Sequence, residues 1–152
     1  MSLATDSIFM DALKSNSELM SQINGRLYPT AILLPDAEAE NVPVPYLIVT
    51  FDGLTNDQDS KDDPFESASD KVTVSIFLVD KSREALADLA QAVRTTIHDY
   101  MTQQLSEDEN FPIQDYEFTA ESVRFEASKP CHWQVFTYAC DTINDDNERP
   151  ES

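Results

Sequence analysis

Two cysteines and a histidine, residue types that can act as nucleophiles or hold a metal ion, lie in one stretch of alternating apolar residues. Cys131 and His132 are adjacent and Cys140 follows, and a cysteine with a histidine is a combination used by thiol nucleophiles and zinc sites. Adjacent residues of a strand point to opposite faces, so Cys131 and His132 cannot easily chelate one ion. From Cys131 to Cys140 a strand spans about 30 Å, far beyond the ~7 Å limit between bridged Cα atoms. We expect two reduced, buried thiols and no metal site.

No other pattern in the sequence is typical of catalysis or of cofactor binding. The chain has two glycines, Gly25 and Gly53, whereas phosphate-binding loops need several so that backbone N–H groups can approach the phosphate. The second histidine, His98, lies beside the polar face of a predicted helix, and we expect it at the surface. We therefore predict that the protein is not an enzyme, has no catalytic residues and binds no cofactor.

Residues 54–70 form an acidic stretch with few apolar side chains. Compared with a calcium-binding loop that begins at Asp57, the sixth position is Asp62 instead of glycine and the twelfth is Ala68, so calcium binding is not supported. So few apolar groups cannot offset the entropy cost of ordering, which predicts a mobile loop. Long loops are often functional or ordered by a partner. The alternative is an acidic loop that is exposed to solvent and has no function of its own. The candidate interface or lumen residues are Asp57, Asp59, Asp62, Asp63, Phe65 and Glu66.

Composition excludes several classes of protein. The 152 residues include 29 acidic and 10 basic side chains, for a formal net charge of −19. The lysines and arginines are scattered singly, which disfavours binding to a nucleic-acid backbone. Uninterrupted apolar runs are too short to cross a bilayer, and the beginning of the sequence does not resemble a signal peptide. We expect a single domain made in the cytoplasm, with no membrane contact.

The spacing of apolar residues predicts two helical regions. The first covers residues 7–23 and pauses at Ser15-Asn16-Ser17-Glu18, where Ser15 and Glu18 fit a capping box, so it is either two short helices or one kinked helix. Gly25 fits the C-terminal stop. Ser82 fits the N-cap of a second, long helix. Its apolar face over about five turns contains Leu86, Leu89, Ala90, Val93, Ile97, Tyr100 and Met101.

Alternating apolar residues predict the strands. Residues 46–51 form a strand closed by a turn at Asp52-Gly53, and residues 72–78 pair with it as an antiparallel hairpin whose tip is the acidic loop. Prolines between residues 26 and 45 predict an extended, poorly paired arm.

Near Glu121-Ser122 the alternation of apolar and polar residues shifts by one position, so the apolar side chains change from one face to the other. Such a shift favours a β-bulge or a bend between two strand halves. The last strand runs from His132 to about Ile143. Together these elements predict an α+β fold, a mostly antiparallel sheet of about four to five strands with a long amphipathic helix and a short N-terminal helix packed on one face. Residues 1–143 form one domain with a mobile acidic hairpin loop at 54–70, and residues 144–152 form a disordered acidic tail.

Three segments carry a family resemblance. They are Asn24-Gly25-Arg26-Leu27-Tyr28 after the first helix, then Pro43-Val44-Pro45-Tyr46-Leu47-Ile48-Val49, and then Val72-Thr73-Val74-Ser75-Ile76-Phe77, which runs into the helix of residues 82–101. In this arrangement the sequence resembles the tail terminator proteins, also called tail completion proteins, of long-tailed bacteriophages. The resemblance extends over residues 7–143.

The resemblance implies a structural virion protein. Members of that family form a hexameric ring on the last ring of the tail tube, stop its growth and present a surface to the head connector. The implied partners are further copies of this chain in a hexamer, the tail tube protein and the head–tail connector protein. The implied location is the tail or neck of a virion assembled in the host cytoplasm. DNA passes through such a ring, and acidic walls repel its phosphates, so no specific nucleic-acid binding is expected.

Other functions stay open on the sequence alone. A head-side neck or head-completion protein of the same joint shares this size and class. A monomer with so much negative charge could instead mimic DNA and inhibit a DNA-binding protein, although many of its carboxylates lie in a loop and a tail. A small enzyme that uses Cys131 and His132 has the least support.

Overall fold

The chain forms three helices and six strands in a computed structural model that describes residues 4–29, 43–56, 69–108, 111–126 and 131–143. The elements in chain order are α1 (Ala4–Lys14), α2 (Ser17–Gln22), β1 (Leu27–Pro29), β2 (Tyr46–Asn56), β3 (Ser69–Asp80), α3 (Arg83–Glu107), β4 (Ile113–Ala120), β5 (Arg124–Glu126) and β6 (Cys131–Ile143). The predicted α+β class is confirmed. The tail 144–152 lies outside the described residues, so its predicted disorder stays a prediction.

The strands form one sheet in the order β1-β2-β3-β6-β4, with β5 also paired with β6. The pairing of β1 with β2 is parallel, and the other described pairs are antiparallel. The sheet is therefore mostly antiparallel, but it has six strands instead of four to five. The expectation of a poorly paired arm before Tyr46 missed β1, because three residues ending at a proline carry no alternating pattern.

The first helical region is two helices, and Asn16 separates them. The Oδ1 of Asn16 accepts hydrogen bonds from two backbone N–H groups at the start of α2, at 3.0 and 3.2 Å. Its Nδ2 donates to Thr96 Oγ1 at 2.8 Å, which joins the cap to α3. The predicted cap at Ser15 is wrong, because the Ser15 hydroxyl donates to the carbonyl of Ala12 in the preceding turn. Gly25, at φ +72°, lies just after α2, as expected for a helix stop.

The predicted hairpin is confirmed, with longer strands than expected. The register of β2 against β3 shifts between Phe51 and Gly53, so Asp52 lies in a β-bulge where a turn was predicted. Pairing then continues to Asn56 opposite Asp70. Residues 54–56 and 69–70, at the two ends of the predicted acidic loop, therefore belong to the sheet.

β4 and β5 are two halves of one edge strand beside β6. Ala120 pairs with Phe136 and Arg124 pairs with Trp133, so four steps along the edge match three steps along β6. The extra residue is the signature of a bulge. The predicted interruption near Glu121-Ser122 is confirmed.

One face of the sheet packs against the helices and forms the main core. Ser82 caps α3 as predicted, and its Oγ accepts from the N–H of Ala85 at 3.0 Å. The side chain of Tyr138 lies in the middle of this face with 1% exposure, next to the rings of Phe9 and Phe118, each 5.1 Å away between centroids. Burial of each large apolar side chain contributes about 1.5–3 kcal/mol. The sheet and α3 supply most of the fully buried core: Leu47, Val72, Val74, Ile76, Leu78, Leu86, Leu89, Val93, Ile97, Met101 and Cys140.

Candidate functional site

The two thiols lie on opposite faces of the sheet and are not joined by a disulfide bond. Cys140 is fully buried under the helices. Burial raises the pKa of its thiol to about 12, and the neighbouring carboxylate of Asp141 adds to the rise. A thiol with so high a pKa stays protonated near neutral pH and is a poor nucleophile. Cys131 is buried in an apolar cluster on the other face.

The histidines have different surroundings. The ring of His132 packs against the ring of Phe125, with centroids 4.9 Å apart, and its Nδ1 is buried without a hydrogen-bond partner among the described residues. His98 is exposed on α3, as expected. Within the described ranges, no three histidine, cysteine or acidic side chains come together as a metal site. None of the described helices has the length and apolarity to span a membrane.

The candidate residues of the acidic loop, Asp57, Asp59, Asp62, Asp63, Phe65 and Glu66, lie outside the described residues. Their role as an interface or lumen loop therefore stays a prediction. The structure does describe where the segment leaves the sheet, at the paired residues Asn56 and Asp70. The segment between them begins and ends at one end of the β2–β3 hairpin.

The face of the sheet away from the helices carries a second apolar cluster. Tyr46 and Ile48 are only 5% and 2% exposed there, and the rings of Phe77 and Trp133 stack with centroids 6.3 Å apart. The guanidinium of Arg124 lies over the Trp133 ring, 5.3 Å from its centroid. This end of the face is therefore apolar and aromatic, while the Lys71–Asp141 ion pair lies at the other end of the same face.

A groove lies between α3 and the edge strand β4–β5. We call it the edge groove; its volume is about 290 Å³, and its lining includes Arg83, Arg94, Phe118, Val123, Gln134 and Phe136. The guanidinium of Arg94 lies 4.8 Å from the centroid of the Phe118 ring, within cation–π range. The Gln134 Nε2 donates to the carbonyl of Glu121 at 2.8 Å, which fixes the bulge beside the groove.

The sequence reasoning missed the edge groove, although the sequence holds part of its signal. Arg83 and Arg94 are eleven residues apart, which returns to the same face of a helix after three turns. Phe125 is a second part of this signal, because it is an apolar residue just beyond the interruption at Glu121-Ser122, and it is 57% exposed in the structure. What the sequence could not supply is the position of the edge strand beside α3.

The fold of the chain is similar to that of a known virion component, although its sequence matches no known family. No protein-family model matches the chain, and no curated protein matches it. Solved structures do share the fold. A chain in the structure described as "Virion of native gene transfer agent (GTA) particle" aligns with a TM-score of 0.57 at 8% identity. The alignment covers 91% of this chain and 93% of that chain, so the likeness involves the whole fold and not one motif.

Proposed function

We propose that this protein is a structural virion protein and that it acts as a phage tail terminator. In this role, copies of the chain form a hexameric ring on the end of the tail tube, stop tube growth and offer the surface to which the head–tail connector attaches. The protein performs no catalysis, and DNA passes through the ring without specific binding.

The observation that carries the proposal is the likeness over nearly the full length of both chains to a component of a gene transfer agent virion. At 8% identity this likeness concerns the fold, and the tail terminator role comes from the sequence resemblance over residues 7–143. The two agree on the class of protein, because both lead to a component of a phage-like particle.

The described surfaces suit a protein that works by assembly. The edge strand β4–β5 and the edge groove are features that a neighbouring molecule can cover. The burial of both Cys131 and Cys140 gives no support to a thiol enzyme. A net charge of −19 per copy favours a ring wall that repels passing DNA.

Deletion of the gene tests the proposal. Particles made by the genome that encodes this chain, with and without the gene, are compared by electron microscopy for tail length and head attachment. We expect overlong tails detached from filled heads in the deletion, and restoration of normal tails by the intact gene supplied in trans.

Other outcomes contradict the role in distinct ways. Tails of normal length with leaking or tailless heads place the protein on the head side of the neck. Fully normal particles reject a structural role, and binding of the purified protein to basic DNA-binding proteins at moderate salt then tests inhibition by DNA mimicry.

A further inference from the structure

The edge groove is a positively charged site on an acidic protein. Arg83 and Arg94 are exposed on one face of α3, about 16 Å apart along the helix axis. Neither guanidinium forms an ion pair with a carboxylate of the described residues. Of the described ion pairs, Lys71 with Asp141 at 3.1 Å lies elsewhere, and Arg124 with Glu121 at 3.6 Å joins two residues of the edge beside the groove. Two unpaired positive charges in a chain of net charge −19 favour an anionic ligand.

The groove is apolar between these charges. Phe118, Val123 and Phe136 line it, and the exposed ring of Phe125 continues the apolar stripe along the edge strand. On α3, Leu105 follows Arg94 by a further eleven residues and is 43% exposed. A ligand that combines carboxylates with an apolar side chain matches this surface better than a bare phosphate does, because phosphate leaves the apolar groups uncovered.

The edge strand also offers main-chain hydrogen bonds. β4 stands at the end of the sheet order, so none of the described strands pairs with its outer edge. An extended segment can add to such an edge through its backbone while its side chains enter the neighbouring groove. The ligand that fits is an extended acidic segment with an apolar anchor.

The sequence of this chain contains such a segment. Residues 57–66 carry four aspartates and one glutamate around a single aromatic residue, Phe65. The tail 144–152 is also acidic but has no apolar anchor. We propose that the edge groove of one copy binds the acidic segment 57–66 of a second copy, with Phe65 in the apolar part and its aspartates near Arg83 and Arg94.

Chain length favours a segment that comes from another copy. Arg124, beside Val123, is level with Val79, since both pair with Trp133. Val79 lies about 33 Å along β3 from Ser69, the start of that strand. Phe65 is four residues from Ser69 and can reach at most ~14 Å from it. Phe65 therefore cannot reach the Val123 end of the groove of its own molecule.

A contact between different surfaces of identical chains is head-to-tail. Each copy then offers one groove and one acidic segment, so the contact repeats from copy to copy. The chain of copies closes into a ring when the rotation between neighbouring copies adds up to a full turn. The inference rests on the proposed ring-forming function and supplies its contact. It differs from a symmetric dimer, in which one patch meets itself and assembly stops at two copies.

A mixing experiment tests the contact with the full chain. The groove variant carries Arg83→Gln and Arg94→Gln, and the segment variant carries Asp62→Asn, Asp63→Asn and Phe65→Ser. Sedimentation velocity up to about 1 mM measures self-association. We expect wild type to form oligomers larger than dimers, and each variant alone to associate at least about tenfold more weakly. A 1:1 mixture of the two variants keeps one intact contact, so we expect dimers and nothing larger.

Two controls separate this contact from general charge effects. Lys14→Gln removes one positive charge from the end of α1 and is compared with the single variant Arg94→Gln, and we expect Lys14→Gln to associate as wild type does. Removal of residues 144–152 should also leave association unchanged. Association lost with the tail, or a groove variant that associates like wild type, overturns the proposal.

A second measurement covers the case in which wild type is monomeric without the tail tube. A synthetic peptide of residues 56–68 is titrated into the isotope-labelled full chain. We expect NMR shifts at Arg94, Phe118 and Val123 that a peptide with Phe65→Ser does not produce. A monomeric wild type together with no shifts at the groove at about 1 mM peptide overturns the proposal.

These outcomes are distinguishable from those of the gene deletion. If the deletion gives overlong tails but the groove variant associates normally, the function stands and the contact is wrong. If the deletion gives normal tails but the mixture forms the expected dimers, the contact stands and the terminator role is wrong.

Discussion

Replacement of Tyr138 by phenylalanine tests the packing at the centre of the sheet. The Tyr138 hydroxyl is buried and has no hydrogen-bond partner among the described residues. Aromatic rings surround it, with Phe9, Tyr116 and Phe118 at centroid distances of 5.1, 5.8 and 5.1 Å. An unsatisfied buried polar group costs about 1–3 kcal/mol. Because Tyr138→Phe removes the hydroxyl and keeps the ring, we expect the free energy of unfolding to rise by about 1 kcal/mol.

Urea denaturation followed by circular dichroism measures this change, and a rise of about 1 kcal/mol corresponds to an increase of 2–4 °C in the melting temperature for a chain of this size. The control is Tyr100→Phe on α3, where the side chain is partly exposed and we expect a change within about 0.5 kcal/mol. A loss of 1 kcal/mol or more in Tyr138→Phe would refute the reasoning, because it would mean that the hydroxyl is hydrogen-bonded in the folded protein.

The same variant also changes the response to alkaline pH. Burial raises the pKa of Tyr138 above its ordinary 10.0, and the nearby Tyr116 adds to the rise. The unfolded chain therefore loses this proton before the folded chain does, so stability falls as the pH rises above 10.0. We expect the alkaline decline to be shallower in Tyr138→Phe than in wild type.

Three further substitutions have expected outcomes in the same denaturation assay. Asn16→Ala removes the cap of α2 and the bond to Thr96 and should cost about 1–2 kcal/mol, whereas Ser15→Ala should change stability by less than about 0.5 kcal/mol; equal effects contradict the assigned cap. Cys140→Ala should abolish a loss of about 1.4 kcal/mol between pH 8 and 10, because the unfolded thiol ionises near 9.0 while the folded thiol keeps its proton up to about 12; an unchanged slope contradicts the raised pKa. Ile76→Ala should cost about 4 kcal/mol, since the fully buried side chain leaves a cavity under α3, and a cost below about 1 kcal/mol contradicts this packing.

The elements with strong local patterns were predictable from the sequence. The long helix α3 and its Ser82 cap follow from the 3.6-residue spacing, and the hairpin follows from strict alternation in residues 72–78. The break between β4 and β5 was visible because one extra residue moves every following side chain to the other face. Each of these patterns lies within a short stretch of sequence, so it can be recognised without knowledge of the tertiary structure.

The missed features depend on contacts between distant residues. Asn16 caps α2 while its amide also reaches Thr96, eighty residues away, whereas the local sequence pattern predicted Ser15 as the cap. β1 is held by its parallel partner and not by a pattern of its own. The edge groove exists because α3 and β4–β5 lie side by side, which no local window of sequence contains.

The position of β6 has a consequence for the timing of synthesis. β6 follows the other five strands along the chain, yet it lies between β3 and the edge strand and pairs with β3, β4 and β5. On the ribosome, β2, β3 and α3 therefore emerge before the strand that joins them to β4 and β5, and such non-local pairing is slow. Phe136, which lines the edge groove, belongs to β6. A nascent chain thus lacks a complete groove until β6 has been translated, so its own groove cannot hold the acidic segment of a finished copy before that point.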